Sequence, residues 1–262
     1  MKPILLDLGL LKVHAYGLGL ALAFLFGSLW LSRRARPLGY LDEDLMKLAW
    51  WLLASALIGA RLYYALQHPE EFEGDWAEVF RVWRGGLTQY GGVLGAIIVG
   101  ALFMRSKGWS FREVGDLAAP AIALGEGIAR IGCFFNGCCF GQSCSLPWAV
   151  TFPPGSHAHW VLGDTPVHPS QLYLSVANIL LAVALARVRL PLRRPGRLLA
   201  GYLIGSSAIR FLVDFTRYYA PQDHLSLMGV TLAHSQWLML VFFALAAWLW
   251  WGAPRERASG VR

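Results

Sequence analysis

The sequence predicts an all-α, polytopic membrane protein of about seven transmembrane helices carrying a small irregular external head. Three observations carry that prediction. Of the 262 residues, 56% are hydrophobic and only 15% charged, giving a mean hydropathy of +0.47, far from an ordinary soluble domain. Apolar runs of roughly 15 to 20 residues, the length needed to cross about 30 Å of hydrocarbon, recur along the chain. Between them, lysine and arginine collect in alternate connections.

The runs are Ala15 to Leu31, Leu48 to Leu66, Gly85 to Met104, Leu117 to Phe135, Ser170 to Ala186, Leu198 to Phe215 and Leu232 to Trp251. The first is too long for a cleavable signal peptide and leads into Arg33-Arg34, so it is expected to remain as a span. No soluble domain, internal repeat or low-complexity tract interrupts the series. Residues 1–262 therefore read as one integral membrane domain, with 141–169, the longest weakly apolar connection, as an external loop or head within it.

Fifteen of the 23 lysines and arginines lie after the first, third and fifth runs or at the C-terminus. Among them are Arg33, Arg34, Arg36, Lys47, Arg105, Lys107, Arg112, Arg187, Arg193, Arg197 and Arg255. The 141–169 loop has none. By the positive-inside rule the N-terminus lies outside and the C-terminus in the cytoplasm, as an odd number of spans requires. The net charge of +7 then reflects the inner face and calls for no nucleic acid, although a basic rim suits anionic membrane lipid. Many of the 12 tryptophans, including Trp50, Trp51, Trp248, Trp250 and Trp251, sit where interface anchors belong.

Three arginines fall inside the runs: Arg61, Arg130 and Arg210. Each stands five residues before the expected outer end of its run, so at 1.5 Å per residue each lies roughly 7 to 8 Å below the outer boundary. An intramembrane cation must pair, face water or bind a ligand. Two readings stand. Glu126 with Arg130 and Arg210 with Asp214 have the i,i+4 spacing of self-neutralising pairs, and Arg61 could snorkel to the interface. Alternatively, the planar guanidinium fork suits phosphate, and a phospholipid head group is an anion found at that depth.

Cys133, Cys138, Cys139 and Cys144 follow a C-x4-C-C-x4-C spacing at the outer end of the fourth run. On an oxidising face this spacing admits a disulfide, with three possible connectivities, small apolar packing, or a redox or acyl-carrying thiol. It matches no familiar zinc spacing, and no metal or cofactor is expected. Gly91, Gly92, Gly95 and Gly100 give the third run small residues at helical spacing, which suits close helix packing. His157 and His159 read as surface residues of the loop. His168 precedes Pro169 at the start of the fifth run, where capping, an interfacial place or proton transfer are open. His14 and Tyr16 begin the first run from outside, within reach of the arginine level; Tyr16 also suits the aromatic belt.

Six fragments now matter together: "VHAYGLGLALAF" (13–24), "GARLYY" (59–64), "RGGLTQYGGVLGA" (84–96), "ARIGCFFNGCCFG" (129–141), "HPSQLY" (168–173) and "RFLVDFTR" (210–217). In that order, over nearly the whole chain, the sequence resembles the prolipoprotein diacylglyceryl transferase family. The resemblance implies a bacterial inner-membrane enzyme. Such an enzyme moves the diacylglyceryl group of phosphatidylglycerol onto the lipobox cysteine thiol of a preprolipoprotein, forming a thioether and releasing glycerol phosphate. It further implies that Arg130 and Arg210 bind the phosphate, that Asn136 and Gly141 shape the same loop, that Tyr16 contacts the lipid and that Asp214 orients Arg210. Arg61, Glu126, His14 and His168 are expected on the substrate side of the site.

The chain departs from the commoner family pattern at three places. Tyr90 stands where a histidine precedes the paired glycines, Cys133 stands for asparagine, and Cys138 stands for glutamate in a "GCC" variant. Tyr90 could act as the base if nearby cations favour its phenolate. It could instead orient the lipid through its hydroxyl while the substrate thiol, near pKa 8.5, ionises by itself. A membrane thiol oxidoreductase using the cysteine cluster and a lipid or anion transporter remain as rival functions.

Overall fold

The computed structural model describes residues 4–7, 12–72, 75–81, 86–189, 194–227 and 229–251. Arg84, Arg193 and the arginines after residue 251, which belong to the charge pattern, lie outside the described residues. The chain is mostly helical. Each of the seven apolar runs corresponds to one helix: α1 Ala15–Ala35, α2 Asp42–Gln67, α3 Gln89–Ser106, α4 Phe111–Asn136, α6 Ser170–Ala186, α7 Arg197–Asp214 and α8 His234–Trp251, though Thr88, Phe215 and Leu232 fall just outside the helices their runs predicted. Both α2 and α4, at 26 residues, are long and apolar enough to cross a membrane, while Tyr90–Ser106 and Ser170–Ala186 are shorter apolar helices. A one-turn-and-a-half helix, α5 (His157–Leu162), lies in the loop between α4 and α6.

The all-α expectation needs correcting in one respect. Two antiparallel hairpins, β1 (Ile4–Asp7) with β2 (Lys12–His14) and β3 (His224–Leu227) with β4 (Val230–Ala233), immediately precede α1 and α8. Strands of three or four residues carry too little periodic signal to compete with a neighbouring helix of 18 or more residues. The 141–169 segment is also less irregular than expected. Besides α5 it has bridges Ser143↔Val167 and Val150↔Val167, closed over a small core of Phe140, Phe152, Ala158 and Val167.

Two compact units make up the chain: residues 1–30 with 115–262, and residues 31–114. In the second, α2 and α3 meet through glycine. Backbone of Gly59 and Ser55 lies so near Gly91 and Gly95 that an added Cβ on either would overlap a carbonyl oxygen. Without a hydrophobic drive between apolar helices, such close approach is how they associate in lipid. The first turn of α2 is acidic, with Asp42, Glu43 and Asp44, which complements the helix dipole. Asp42 binds Arg36 and Asp44 binds Lys107 at 2.7 Å. Leu48, Met104 and Val114 form the buried core near that end.

In the first unit α4 is the central helix. A Cβ added to Gly19 of α1 would meet the Gly132 Cα at 3.6 Å, and Gly127 lies against Ser175 and Ile179 of α6, whose Ser175 hydroxyl donates to the Gly127 carbonyl at 2.8 Å. The buried Asp116 carboxylate accepts from the Gly196 and Leu199 amides at 2.7 and 2.8 Å, so α4 supplies the cap that α7 lacks in its own sequence. Ala119, Ala123, Ala182, Leu185, Leu198 and Tyr202 fill the space between α4, α6 and α7. Large apolar side chains remain exposed along the helices, such as Leu25 and Phe26 on α1, Ile97 and Leu102 on α3, and Val241 and Trp248 on α8. Apolar surface on that scale suits hydrocarbon rather than water.

Glycine packing gives a direct test. Gly91→Ala should push α2 and α3 apart and cost roughly 1 to 3 kcal/mol, whereas Gly17, with nothing within 4 Å, should accept alanine without loss. Thermal unfolding in detergent separates the two. Equal midpoints for both variants would contradict the packing argument.

Candidate functional site

The end of α4 is built by a local rule. The Gly137 amide bonds the Phe134 carbonyl at 3.2 Å and the Cys138 amide bonds the Cys133 carbonyl at 3.2 Å, with Gly137 at φ 70. This is a Schellman closure with glycine at the left-handed position. A Cβ on Gly137 would also lie 2.7 Å from that of Ser156. Cys139 follows at φ 58, a conformation L-residues seldom adopt. The chain therefore doubles back over the helix end, and the Cys133, Cys138 and Cys139 sulfurs come within 4.8 Å of one another. All four cysteines are free thiols. Buried Gln171 of α6 holds the turn by donating to the Cys138 carbonyl at 2.8 Å.

Beyond the turn the chain pairs with the end of α7. Gly141 bridges Arg217, the Gln142 amide bonds the Thr216 carbonyl at 2.9 Å and the Tyr218 amide bonds the Phe140 carbonyl at 3.1 Å. On its other side the Gly141 amide bonds the His168 carbonyl at 3.1 Å. A Cβ on Gly141 would fall 2.7 Å from Ser170 Oγ and collide with the His168 backbone, so only glycine fits.

Around this pairing lie Arg210 and Arg217, and Arg130 approaches from α4 through Cys139. Arg210 Nε lies 2.9 Å from buried Asp214 Oδ1, one helical turn on, and its Nη2 donates to Tyr219 Oη at 3.3 Å. Ser235 of α8 donates to Asp214 Oδ2 at 2.6 Å and shares a 2.8 Å hydrogen bond with the Tyr219 hydroxyl. Arg217 Nη1 stands 4.0 Å from Asp214 Oδ1 and its guanidinium lies over the Tyr219 ring. Its buried Nε has no hydrogen-bond partner. Arg130, half-buried, donates from Nη1 to Cys139 Sγ at 3.9 Å, and no carboxylate among the described residues pairs with it. Thiol hydrogen bonds from Cys133 and Cys138, together with the Arg217 and Arg130 charges, hold Cys139 below the ordinary thiol range against the effect of burial.

The remaining expected residues are spread over both units. Glu126 accepts from Tyr202 at 2.7 Å and from Ser206 at 3.2 Å on α7, so the i,i+4 partnership with Arg130 does not form. Asn136 is the last residue of α4 and lies against the Cys138 thiol. His168 Nδ1 faces the Tyr173 hydroxyl at 3.3 Å, which Trp148 also reaches at 2.7 Å. Arg61 and Tyr90 belong to the other unit. Arg61 is buried and gives its N–H groups to the carbonyls of Val79, Glu78 and Gly86 at 3.0, 2.8 and 3.3 Å, with Phe72 beneath its guanidinium at 5.0 Å. It anchors the turns between α2 and α3 instead of snorkelling. Tyr90 is exposed in the first turn of α3. His14 ends β2 and Tyr16 is the second residue of α1; their side chains lie outside what is described.

Sequence reasoning does not single out Arg217, Tyr219, Ser235 or Gln171. Arg217 has a signal, as the cation two turns beyond Arg210, but Ser235 and Gln171 carry none until their helices are placed. Removing the shared acceptor should be costly. Asp214→Ala is expected to lose roughly 3 to 5 kcal/mol, because it leaves Arg210 without its buried partner, and Asp214→Glu less. Unchanged thermal unfolding of Asp214→Ala would show that the pair holds nothing.

A profile of the family described as prolipoprotein diacylglyceryl transferase matches residues 3–252. A protein of Bordetella avium named phosphatidylglycerol–prolipoprotein diacylglyceryl transferase is 37% identical over 246 residues, 92% of this chain and 90% of that protein. Its namesake in Methylibium petroleiphilum is 35% identical over 95% of this chain and 96% of its own length. One from Thermosynechococcus vestitus is 34% identical over 93% and 89%.

Proposed function

This chain belongs to the prolipoprotein diacylglyceryl transferase family, and from that premise we propose that it transfers diacylglyceryl from phosphatidylglycerol to the lipobox cysteine of preprolipoproteins. The new bond is a thioether and the leaving group is glycerol phosphate. One observation supports this most: Arg210 and Arg217 share a single carboxylate, Asp214, an unpartnered buried donor remains on Arg217, and Arg130 of α4 reaches the Cys139 thiol that also feels the Arg217 charge. Such a cluster has room for one more anion. A phosphodiester supplies the acceptor oxygens that the guanidiniums lack, and guanidinium forks match them bidentately.

On this reading Arg130 and Arg210 grip the donor phosphate, joined by Arg217. As the C–O bond to phosphate lengthens, negative charge grows on the departing oxygens and the preorganised cations stabilise it more than they stabilise the bound lipid. Asp214, tied to Ser235 and Arg210, sets the direction of the Arg210 guanidinium. Asn136, Gly141 and His168 shape the turn above it, and Glu126 keeps α7 in register with α4 through Tyr202 and Ser206. Tyr16 and His14 contact the lipid. All seven long helices span a bacterial inner membrane, N-terminus outside and C-terminus cytoplasmic, with 141–169 on the outer face helping to seat the peptide.

Purified protein incubated with labelled phosphatidylglycerol and a lipobox peptide should yield a thioether-linked diacylglyceryl peptide by mass spectrometry. Movement of intact lipid across a bilayer, or peptide oxidation without lipid transfer, would favour a transporter or an oxidoreductase instead. Arg130→Ala and Arg210→Ala should each lower the rate by roughly 10²- to 10³-fold, the cost of losing one preorganised charge donor, and lysine should restore only part. Near-normal rates in folded alanine variants would sink the phosphate assignment. The orientation has its own check. Gly155→Cys in a cysteine-depleted background should react with an impermeant thiol reagent from outside the cell, and labelling only from the cytoplasmic side would reverse the topology.

A further inference from the structure

The cysteine cluster has no task in phosphate binding. Three thiols from one helix end and its turn, with sulfurs within 4.8 Å of one another, have the spacing of metal ligands. Three sulfurs around one ion at the usual distance of about 2.3 Å stand about 3.8 to 4.0 Å apart. The C-x4-C-C spacing is unlike a metal motif only as a linear pattern. The Schellman closure at Gly137 and the left-handed Cys139 fold residues 138 and 139 back onto Cys133, which brings the three sulfurs together. Cys144 stays outside the group.

The surroundings favour a thiolate centre over an apolar contact. Arg130 Nη1 donates to Cys139 Sγ at 3.9 Å, as an outer-sphere donor does to a metal-bound sulfur. Three thiolates on a divalent ion leave one negative charge, which Arg130 and Arg217 are placed to balance.

We propose that Cys133, Cys138 and Cys139 bind one thiophilic divalent metal ion of the zinc type, with its fourth position open for the thiol of the peptide acceptor. The metal-binding half stands by itself, while the role of the open position rests on the transferase reading. Three protein ligands with one free site is the pattern of a catalytic zinc rather than a structural one. The acceptor thiol loses its proton to solvent on binding the metal, because the coordinated form is the thiolate. Its sulfur then attacks the diacylglyceryl carbon next to the phosphate ester oxygen. The C–S bond forms, the C–O bond breaks, and the electron pair leaves with glycerol phosphate. The neutral thioether is a weak ligand and is released. No redox partner is needed, and the chain's lack of the usual loop histidine is met by lowering the thiol's own pKa.

The test uses the intact protein in detergent, prepared under reducing conditions, stripped with a chelator and titrated with cobalt(II). About one equivalent should bind, with thiolate-to-cobalt charge-transfer absorption and the visible bands of a tetrahedral site. Cys138→Ser and Cys139→Ser should abolish these bands and Cys144→Ser should not. Adding a lipobox peptide should strengthen the charge-transfer band, and the same peptide with serine at the acceptor position should leave it unchanged. Absence of thiolate-to-cobalt bands in the reduced wild-type protein would overturn the site, as would a disulfide among the three cysteines in active protein as isolated. A cobalt spectrum indifferent to the acceptor thiol would overturn the open position while leaving the metal. Because these readouts are spectroscopic, they are independent of whether any diacylglyceryl product forms, so failure of the transferase reading would be seen separately in the lipid assay.

Discussion

A guanidinium below a membrane surface has to be answered by something, and the way each buried arginine is answered organises this protein. Stripping water from a charge costs several kcal/mol that only partners can return. Arg61 is answered by the chain itself. Three backbone carbonyls and an aromatic face surround it, which turns a charge into an anchor for the connection between α2 and α3. Arg130, Arg210 and Arg217 are answered incompletely, by one carboxylate, a phenol and a thiol. What separates Arg61 from Arg217 is donor capacity left over: the Arg61 N–H groups meet backbone carbonyls, while the buried Arg217 Nε has no hydrogen-bond partner.

That leftover capacity exists because two chain segments are forced together. The turn after α4 must pass between the end of α7 and the start of α6, and at Gly141 there is no volume for a side chain. The ladder from Phe140 to Gln142 with Thr216 to Tyr218 then fixes where Arg217 and Asp214 lie relative to the helix that bears Arg130. Buried hydrogen bonds from Gln171 and Ser235 complete the frame. Polar side chains are costly in an apolar setting unless they are bonded, so the bonds that Gln171 and Ser235 do make fix the turn and Asp214.

The same frame explains how soft and hard chemistry can share one place. On the proposed reading the guanidiniums take the phosphate of the leaving group, and the thiols gathered at the helix end hold a centre that activates a sulfur nucleophile. Both sets are delivered by the end of α4 and the cysteine turn that closes it. Forming a thioether by displacing a phosphate ester needs stabilisation of charge on oxygen and generation of charge on sulfur at once. A helix terminus that bears an arginine and ends in a cysteine turn offers the means for both.

Much of this was written in local sequence. Hydrophobic length located the seven long helices, because a long apolar run satisfies its own backbone groups internally only as a helix, and the i,i+4 spacing of Arg210 and Asp214 is itself the contact. The glycines at 91 and 95 announced close helix packing for the same short-range reason. What sequence could not decide was any choice between partners of equal local merit. Glu126 is spaced as well for Arg130 as Asp214 is for Arg210, yet it turns to Tyr202 and Ser206, 76 and 80 residues away, because α7 packs on that face of α4. Arg61 looked like its two fellow arginines until the carbonyls of Glu78, Val79 and Gly86 closed around it. Periodicity reports which side of a helix is buried, but which neighbour it is buried against is set by long-range packing, and only the folded chain supplies that.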